Sequence, residues 1–117
     1  MSQSLADSRC VPCQGAVEPL KPADISVFQQ QLSPEWQVVD GHHLERDFTF
    51  KNFRQALTFV NTVGGLAETQ GHHPDIYLSW GKVKISLWTH KINGLHENDF
   101  ILAAKIDHLQ TVDTTKQ

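Results

Sequence analysis

Twice along this chain, two short segments of period two set around a turn are followed by a stretch of helical period, and few folds accept that succession. In the first instance Trp36-Gln-Val-Val-Asp40 and Leu44-Glu-Arg-Asp-Phe-Thr-Phe50 flank Gly41. Leu44, Arg46, Phe48 and Phe50 fall on one face, with Glu45 and Asp47 on the other. In the second, Ile76-Tyr-Leu-Ser-Trp80 and Val83-Lys-Ile-Ser-Leu-Trp-Thr89 surround Gly81-Lys82, and Val83, Ile85 and Leu87 share a face. Two hairpins, each followed by a helix, predict an antiparallel four-stranded sheet.

The helical stretches carry start and stop signals. Pro22 and Asp24 open a first helix in which Ile25, Phe28 and Leu32 recur at i, i+3 and i+7, and Ser33-Pro34 stops it. Asn52 is an N-cap for a second helix running to about Gln70, with Phe53, Ala56/Leu57, Val60, Val63/Gly64 and Ala67 as its apolar stripe. Gly64-Gly65 costs that helix roughly 1 kcal/mol per glycine, so the helix either pauses there or receives another backbone closely. Gly71 ends it, and His72-His73-Pro74-Asp75 follows as a loop. Asn93-Gly94 marks a turn before a third helix, Glu97 to Leu109, with acid first and apolar residues at 102, 106 and 109. The order α-β-β-α-β-β-α implies an α+β two-layer sandwich, with the sheet on one side and three helices on one of its faces.

A length of 117 residues suits one domain. Residues 1–20, broken by Pro12, Gly15 and Pro19 and lacking any sustained period, read as an extended arm. Residues 21–110 are the single domain, and residues 111–117 a frayed tail. Ten basic against thirteen acidic side chains, with no basic run, argue against nucleic acid as a partner. No apolar stretch reaches the ~20 residues that span a bilayer, and the start lacks a basic and apolar leader, so no membrane partner and a cytoplasmic location are expected.

Seven histidines are the outlying number, and they are spread through the body of the chain. Histidine ordinarily titrates near neutrality, so a cluster of them suggests proton transfer or metal binding. A hairpin returns the chain to where it began, so His90 ends level with His72 and His73. Asp99, just past the Gly94 turn, can reach the same mouth and orient an imidazole. Three histidines, a carboxylate and Cys10-x-x-Cys13 would supply enough ligands for zinc. A lone C-x-x-C, with no H-x-x-x-H helical pair, is a weak signal, so no metal is expected and the cysteines are read as free thiols, dispensable for chemistry with the rest of the arm. His42-His43 sits at a hairpin turn and reads as solvated, and Trp36, Trp80 and Trp88 read as packing or interface residues.

The string Glu68-Thr-Gln-Gly-His72-His73-Pro74-Asp75, then Thr89-His90 and Gly94-Leu95-x-x-x-Asp99, resembles the pterin-4a-carbinolamine dehydratases. The likeness fixes residue types from Glu68 to Asp99, and the element order agrees from about Leu20 to Leu109. Cys10-Val-Pro-Cys13-Gln-Gly15 is similar to the arm of bacterial members. One departure is His96, where the family commonly has a Ser or Thr able to cap the last helix.

The resemblance implies a hydro-lyase that dehydrates 4a-hydroxytetrahydropterin to quinonoid dihydropterin, in tetrahydrobiopterin recycling after an aromatic amino-acid hydroxylase. It implies no cofactor. Carried over by position, His72, His73, His90 and Asp99 are catalytic residues, with His72 and His90 the acid/base pair, His73 shaping the pocket and Asp99 orienting a histidine or holding the pterin. Glu68 and Asp75 are substrate-binding residues. The family also includes dimerisation cofactors of transcription factors, so a non-catalytic pterin-binding or coactivator-type module is the alternative; the complete histidine set favours the enzyme. One open sheet face and the Gly64-Gly65 patch imply a homo-oligomer, a homodimer or a dimer of dimers.

Overall fold

A computed structural model of the chain describes residues 5–8, 10 and 18–113. Seven main elements follow the expected order: α1 (Pro22–Gln29), β1 (Gln37–Val39), β2 (His43–Thr49), α2 (Phe53–Gln70), β3 (Asp75–Ser79), β4 (Lys82–Leu87) and α3 (Glu97–Asp113). All strand pairs are antiparallel, in the order β1-β2-β4-β3. The second strands of the two hairpins therefore meet at the centre, with Leu44 opposite Leu87 and Phe48 opposite Val83. Leu44, Phe48, Val83, Ile85 and Leu87 turn inward under the helices and are buried. The outer face carries Gln37, Glu45, Asp47, Lys84 and Ser86, which keep it wet.

The α2 cap forms as its sequence requires: Asn52 Oδ1 accepts the Gln55 amide at 2.9 Å. The buried stripe is Ala56, Phe59, Val63 and Ala67, which keeps Ala56, Val63 and Ala67 of the expected one and puts Phe59 inward in place of Phe53 and Leu57. Phe59 takes the inward place because its ring meets those of Phe48 and Phe50, at 4.7 and 5.2 Å between centroids. Phe53 and Leu57 stay 43% and 40% exposed. The helix does not pause at Gly64-Gly65, and a Cβ at either position would meet nothing within 4 Å.

α3 is buried on more than one side. Phe100, Ile101, Leu102, Ala103, Ala104 and Ile106 all lie in the core, and a single stripe could not bury them. Phe28 of α1 stacks on Phe100 at 5.4 Å. The remaining cover comes from the stretch read as an arm ahead of the domain: Leu5–Asp7 form one 3₁₀ turn against α3, with Leu5 in the core and Lys105 Nζ donating to the Ala6 carbonyl at 2.7 Å. A one-turn anchor has no period to detect, which is why the arm reads as coreless. α3 also runs on to Asp113 instead of ending near Leu109. Asp107 ties it to the sheet, accepting from Trp36 Nε1 at 2.7 Å, an Arg46 guanidinium nitrogen at 2.6 Å and the Ser33 amide at 3.0 Å. Trp36 is therefore a core residue. Cys13 lies outside the described residues.

Candidate active site

The site is built from three chain reversals at one end of the sheet. Gly71 adopts the left-handed conformation (φ +66°) and closes α2, with the His72 amide returning to the Ala67 carbonyl. That turn and Pro74 send His72 and His73 off the helix end. β3 then pairs Asp75 with Ser86, so β4 brings Trp88, Thr89 and His90 back alongside. A bridge between Thr89 and Gly94 closes the 3₁₀ turn His90–Ile92. Gly94 is required by close approach, since a Cβ there would stand 2.8 Å from Pro19 Cβ.

The last reversal is the start of α3. His96 Nδ1 accepts the Asn98 amide at 3.0 Å, and Asp99 Oδ2 accepts the His96 amide at 2.9 Å. This is a variant of the capping box: histidine stands in the place usually taken by Ser or Thr, its ring accepts the second amide of the helix rather than the third, and the Asp99 amide returns to the His96 carbonyl at 3.0 Å. Asp99 does more than cap. It is wholly buried, its Oδ2 also accepts the Thr89 hydroxyl at 2.9 Å, and its Oδ1 lies 2.6 Å from His72 Nε2.

These elements enclose a cavity of about 460 Å³ whose walls include His72, His73, Asp75, Trp88, His90 and Asn98. The three histidines converge as the hairpin arithmetic requires. Glu68 reaches the site through His73, whose Nε2 lies 2.5 Å from Glu68 Oε2. Both side chains are more than half exposed, so the pair is screened and contributes little to stability. Asp75 Oδ2 accepts the indole N–H of Trp88 at 3.3 Å. Among the described residues no three His, Cys, Asp or Glu side chains gather as a metal site.

Four residues at the site escape sequence reasoning. Asn98 and Trp88 line the cavity, Thr89 bonds Asp99, and His42 packs its ring on Trp88 at 4.5 Å. The alternation around Trp88 gave no sign that it faces the pocket rather than an interface. His42 comes from the turn of the other hairpin, and no local spacing announces it. Behind the cavity, the Cys10 amide donates to Gln70 Oε1 at 3.0 Å and its Sγ lies 3.6 Å from the Asn98 carbonyl. Burial pushes the Cys10 thiol up to about 11, against the nearby Lys105 charge and with the help of Asp99.

Comparison with known proteins bears on the whole of this architecture. The sequence model of the family described as Pterin 4 alpha carbinolamine dehydratase matches residues 18–109. A relative from Alkaliphilus metalliredigens named for pterin-4-alpha-carbinolamine dehydratase is 54% identical over 108 residues, 92% of this chain and 97% of its own. One from Rubrobacter xylanophilus with the same name is 57% identical over 105 residues, 90% and 97% of the two chains. Among solved structures, a transcriptional coactivator/pterin dehydratase from Brucella melitensis superposes with a TM-score of 0.72 at 31% identity, covering 79% of this chain and 98% of that one. A pterin dehydratase-like protein described as a RuBisCO assembly factor in the alpha-carboxysome gives 0.53 at 27% identity, over 63% and 84%.

Proposed function

The chain belongs to the pterin 4 alpha carbinolamine dehydratase family, and from that premise we propose that it removes water from 4a-hydroxytetrahydropterin with His72 and His90 as base and acid. The reaction breaks the C4a–O bond, removes the proton on N5 and forms a C4a=N5 double bond, so one group must take a proton and another must give one.

The observation that carries this reading is the His72–Asp99 pair at 2.6 Å in the wall of a cavity shared with His73 and His90. Donation from Nε2–H to a buried carboxylate leaves Nδ1 as the lone pair, which suits His72 to take the N5 proton. Asp99 then stabilises the imidazolium that forms, as an orienting carboxylate does elsewhere. His90 is exposed at the mouth, where it can protonate the departing hydroxyl and be recharged from water. His73 and its partner Glu68 shape the rim, and Asp75 acts in part through Trp88. The residues supply both proton transfers without a cofactor.

The product would re-enter tetrahydrobiopterin recycling beside an aromatic amino-acid hydroxylase, in the cytoplasm. A homo-oligomer is supported by apolar surface that a single chain leaves open. Tyr77 and Trp80 are 61% and 67% exposed on and beside the edge strand β3, and Phe53, Leu57 and Gly64 form a second stripe along α2.

The test is the loss of 4a-hydroxytetrahydropterin, followed by ultraviolet absorbance with no added cofactor. Acceleration over buffer, unchanged by a chelator, is expected. A chain that binds reduced pterin without turnover would instead favour the non-catalytic module, a reading kept in view by the assembly-factor neighbour.

A further inference from the structure

His90 is the least anchored member of the histidine set. It is exposed, it opens a short 3₁₀ turn, and among the described residues no hydrogen bond holds its ring. An imidazole free to change rotamer would rarely stand where an acid must. What touches it is Trp88, with ring centroids 4.0 Å apart and the planes inclined by 39°.

Trp88 is itself held from two sides. Asp75 Oδ2 takes its indole N–H at 3.3 Å, and the His42 ring packs against it at 4.5 Å. His42 Nε2 in turn lies 3.0 Å from Asn93 Oδ1, and its Nδ1 lies 3.1 Å from His43 Nδ1. Asn93 is the left-handed residue (φ +51°) that ends the very turn His90 begins. The contacts form a closed circuit: both ends of the turn are fastened to one indole, His90 directly and Asn93 through His42.

We propose that Trp88 and His42 are positioning residues for His90, a clamp that fixes the acid's ring at the cavity mouth, with Asp75 setting the tilt of the indole. The inference rests on the catalytic reading of His90 above. It assigns a role to His42, which has the look of a solvated turn residue in the sequence, and it gives Trp88 a task other than stacking on the pterin, since the two imidazoles already lie against its ring system.

The experiment compares Trp88→Leu, Trp88→Phe, His42→Ala and His42→Phe in the absorbance assay, each corrected for folded fraction by circular dichroism. Trp88→Leu should lower kcat about tenfold or more, and by a larger factor than it changes KM, because the acid is displaced while only one part of the cavity wall is lost. Trp88→Phe, which keeps a ring beneath His90, should recover most of that loss. His42→Ala should cost several-fold in kcat, and His42→Phe should restore part of it. The second readout does not depend on turnover: the His90 ring protons, identified by their loss in His90→Gln, should be shifted upfield by the indole ring current and move downfield in Trp88→Leu. A wild type without turnover overturns the reading of the site itself. A wild type with full turnover whose Trp88→Leu variant keeps kcat, or whose His90 resonances do not move, overturns the clamp alone.

Discussion

His72 Nε2 lies 2.6 Å from Asp99 Oδ1 across 27 residues of sequence, and the carboxylate that holds it is also the N3 residue of the α3 capping box. One buried group thus sets both where the helix starts and where the imidazole points. Asp99→Asn keeps the size but not the charge or the second acceptor, so kcat should fall about 100-fold or more, as expected when an orienting carboxylate is neutralised. Asp99→Ala should add a stability loss of about 2–3 kcal/mol, because the His96 amide and Thr89 hydroxyl lose a charged acceptor. Urea unfolding and steady-state kinetics separate the two effects. A folded Asp99→Asn enzyme with wild-type kcat would sink the orienting role.

The histidines should divide their labour in a way kinetics can read. Replacing His72 or His90 by Ala should lower kcat by ~10²–10⁴, the usual worth of a positioned proton transfer. The double variant should lose little more than the worse single one, since a site without its base gains little from its acid. His73→Ala, which removes only an exposed rim pair, should raise KM more than it lowers kcat. Unchanged kcat in the folded fraction of either Ala variant, with only the melting temperature reduced, would make the cluster packing.

His96 replaces the expected Ser or Thr without loss of the cap, because its Nδ1 reaches the Asn98 amide. His96→Thr should therefore leave stability within a few tenths of a kcal/mol, whereas His96→Ala should cost about 1 kcal/mol in urea unfolding. Equal stability of wild type and His96→Ala would show that the imidazole does not cap.

The hairpins, the Asn52 cap and the Gly71 stop were legible because each depends on residues close in sequence. The convergence of His72, His73 and His90 was legible for the same reason, since it follows from counting along one hairpin. What escaped depends on contacts between distant elements. Phe59 and Leu57 are both apolar, and only the Phe48 and Phe50 rings decide which faces inward. Leu5 finds the open side of α3, which no pattern in the arm foretells. His42 meets Trp88 because β2 and β4 are neighbours, and that strand order is not written in either hairpin.

The uncovered stripe on α2 predicts self-association. Phe53 and Leu57 are exposed, and Gly64 leaves room for another backbone to come near. Light scattering at micromolar concentration should report a particle at least twice 13.2 kDa, and Leu57→Arg should reduce its mass if α2 forms the interface. A 13.2 kDa particle for the wild type would refute the oligomer.

Cys10 sits between the end of α2 and the start of α3, its amide on Gln70 and its sulfur beside the Asn98 carbonyl. Burial raises its thiol from 9.0 to about 11, so the folded chain holds this proton more tightly than the unfolded chain does. Below pH 9.0 the thiol is protonated in both states and its contribution to stability is fully present. Between 9.0 and about 11 the unfolded thiol ionises first, and that contribution is lost as pH rises. Wild type should therefore lose more stability than Cys10→Ala between pH 8 and pH 11, measured by urea unfolding. At neutral pH the same burial should make Cys10 slow to react with iodoacetamide until the protein unfolds. Turnover of Cys10→Ser should stay near wild type, because the sulfur lies behind the cavity wall and not in it. Parallel pH profiles for wild type and Cys10→Ala, or rapid alkylation of Cys10 in the folded protein, would mean that the arm does not cover this edge of the site.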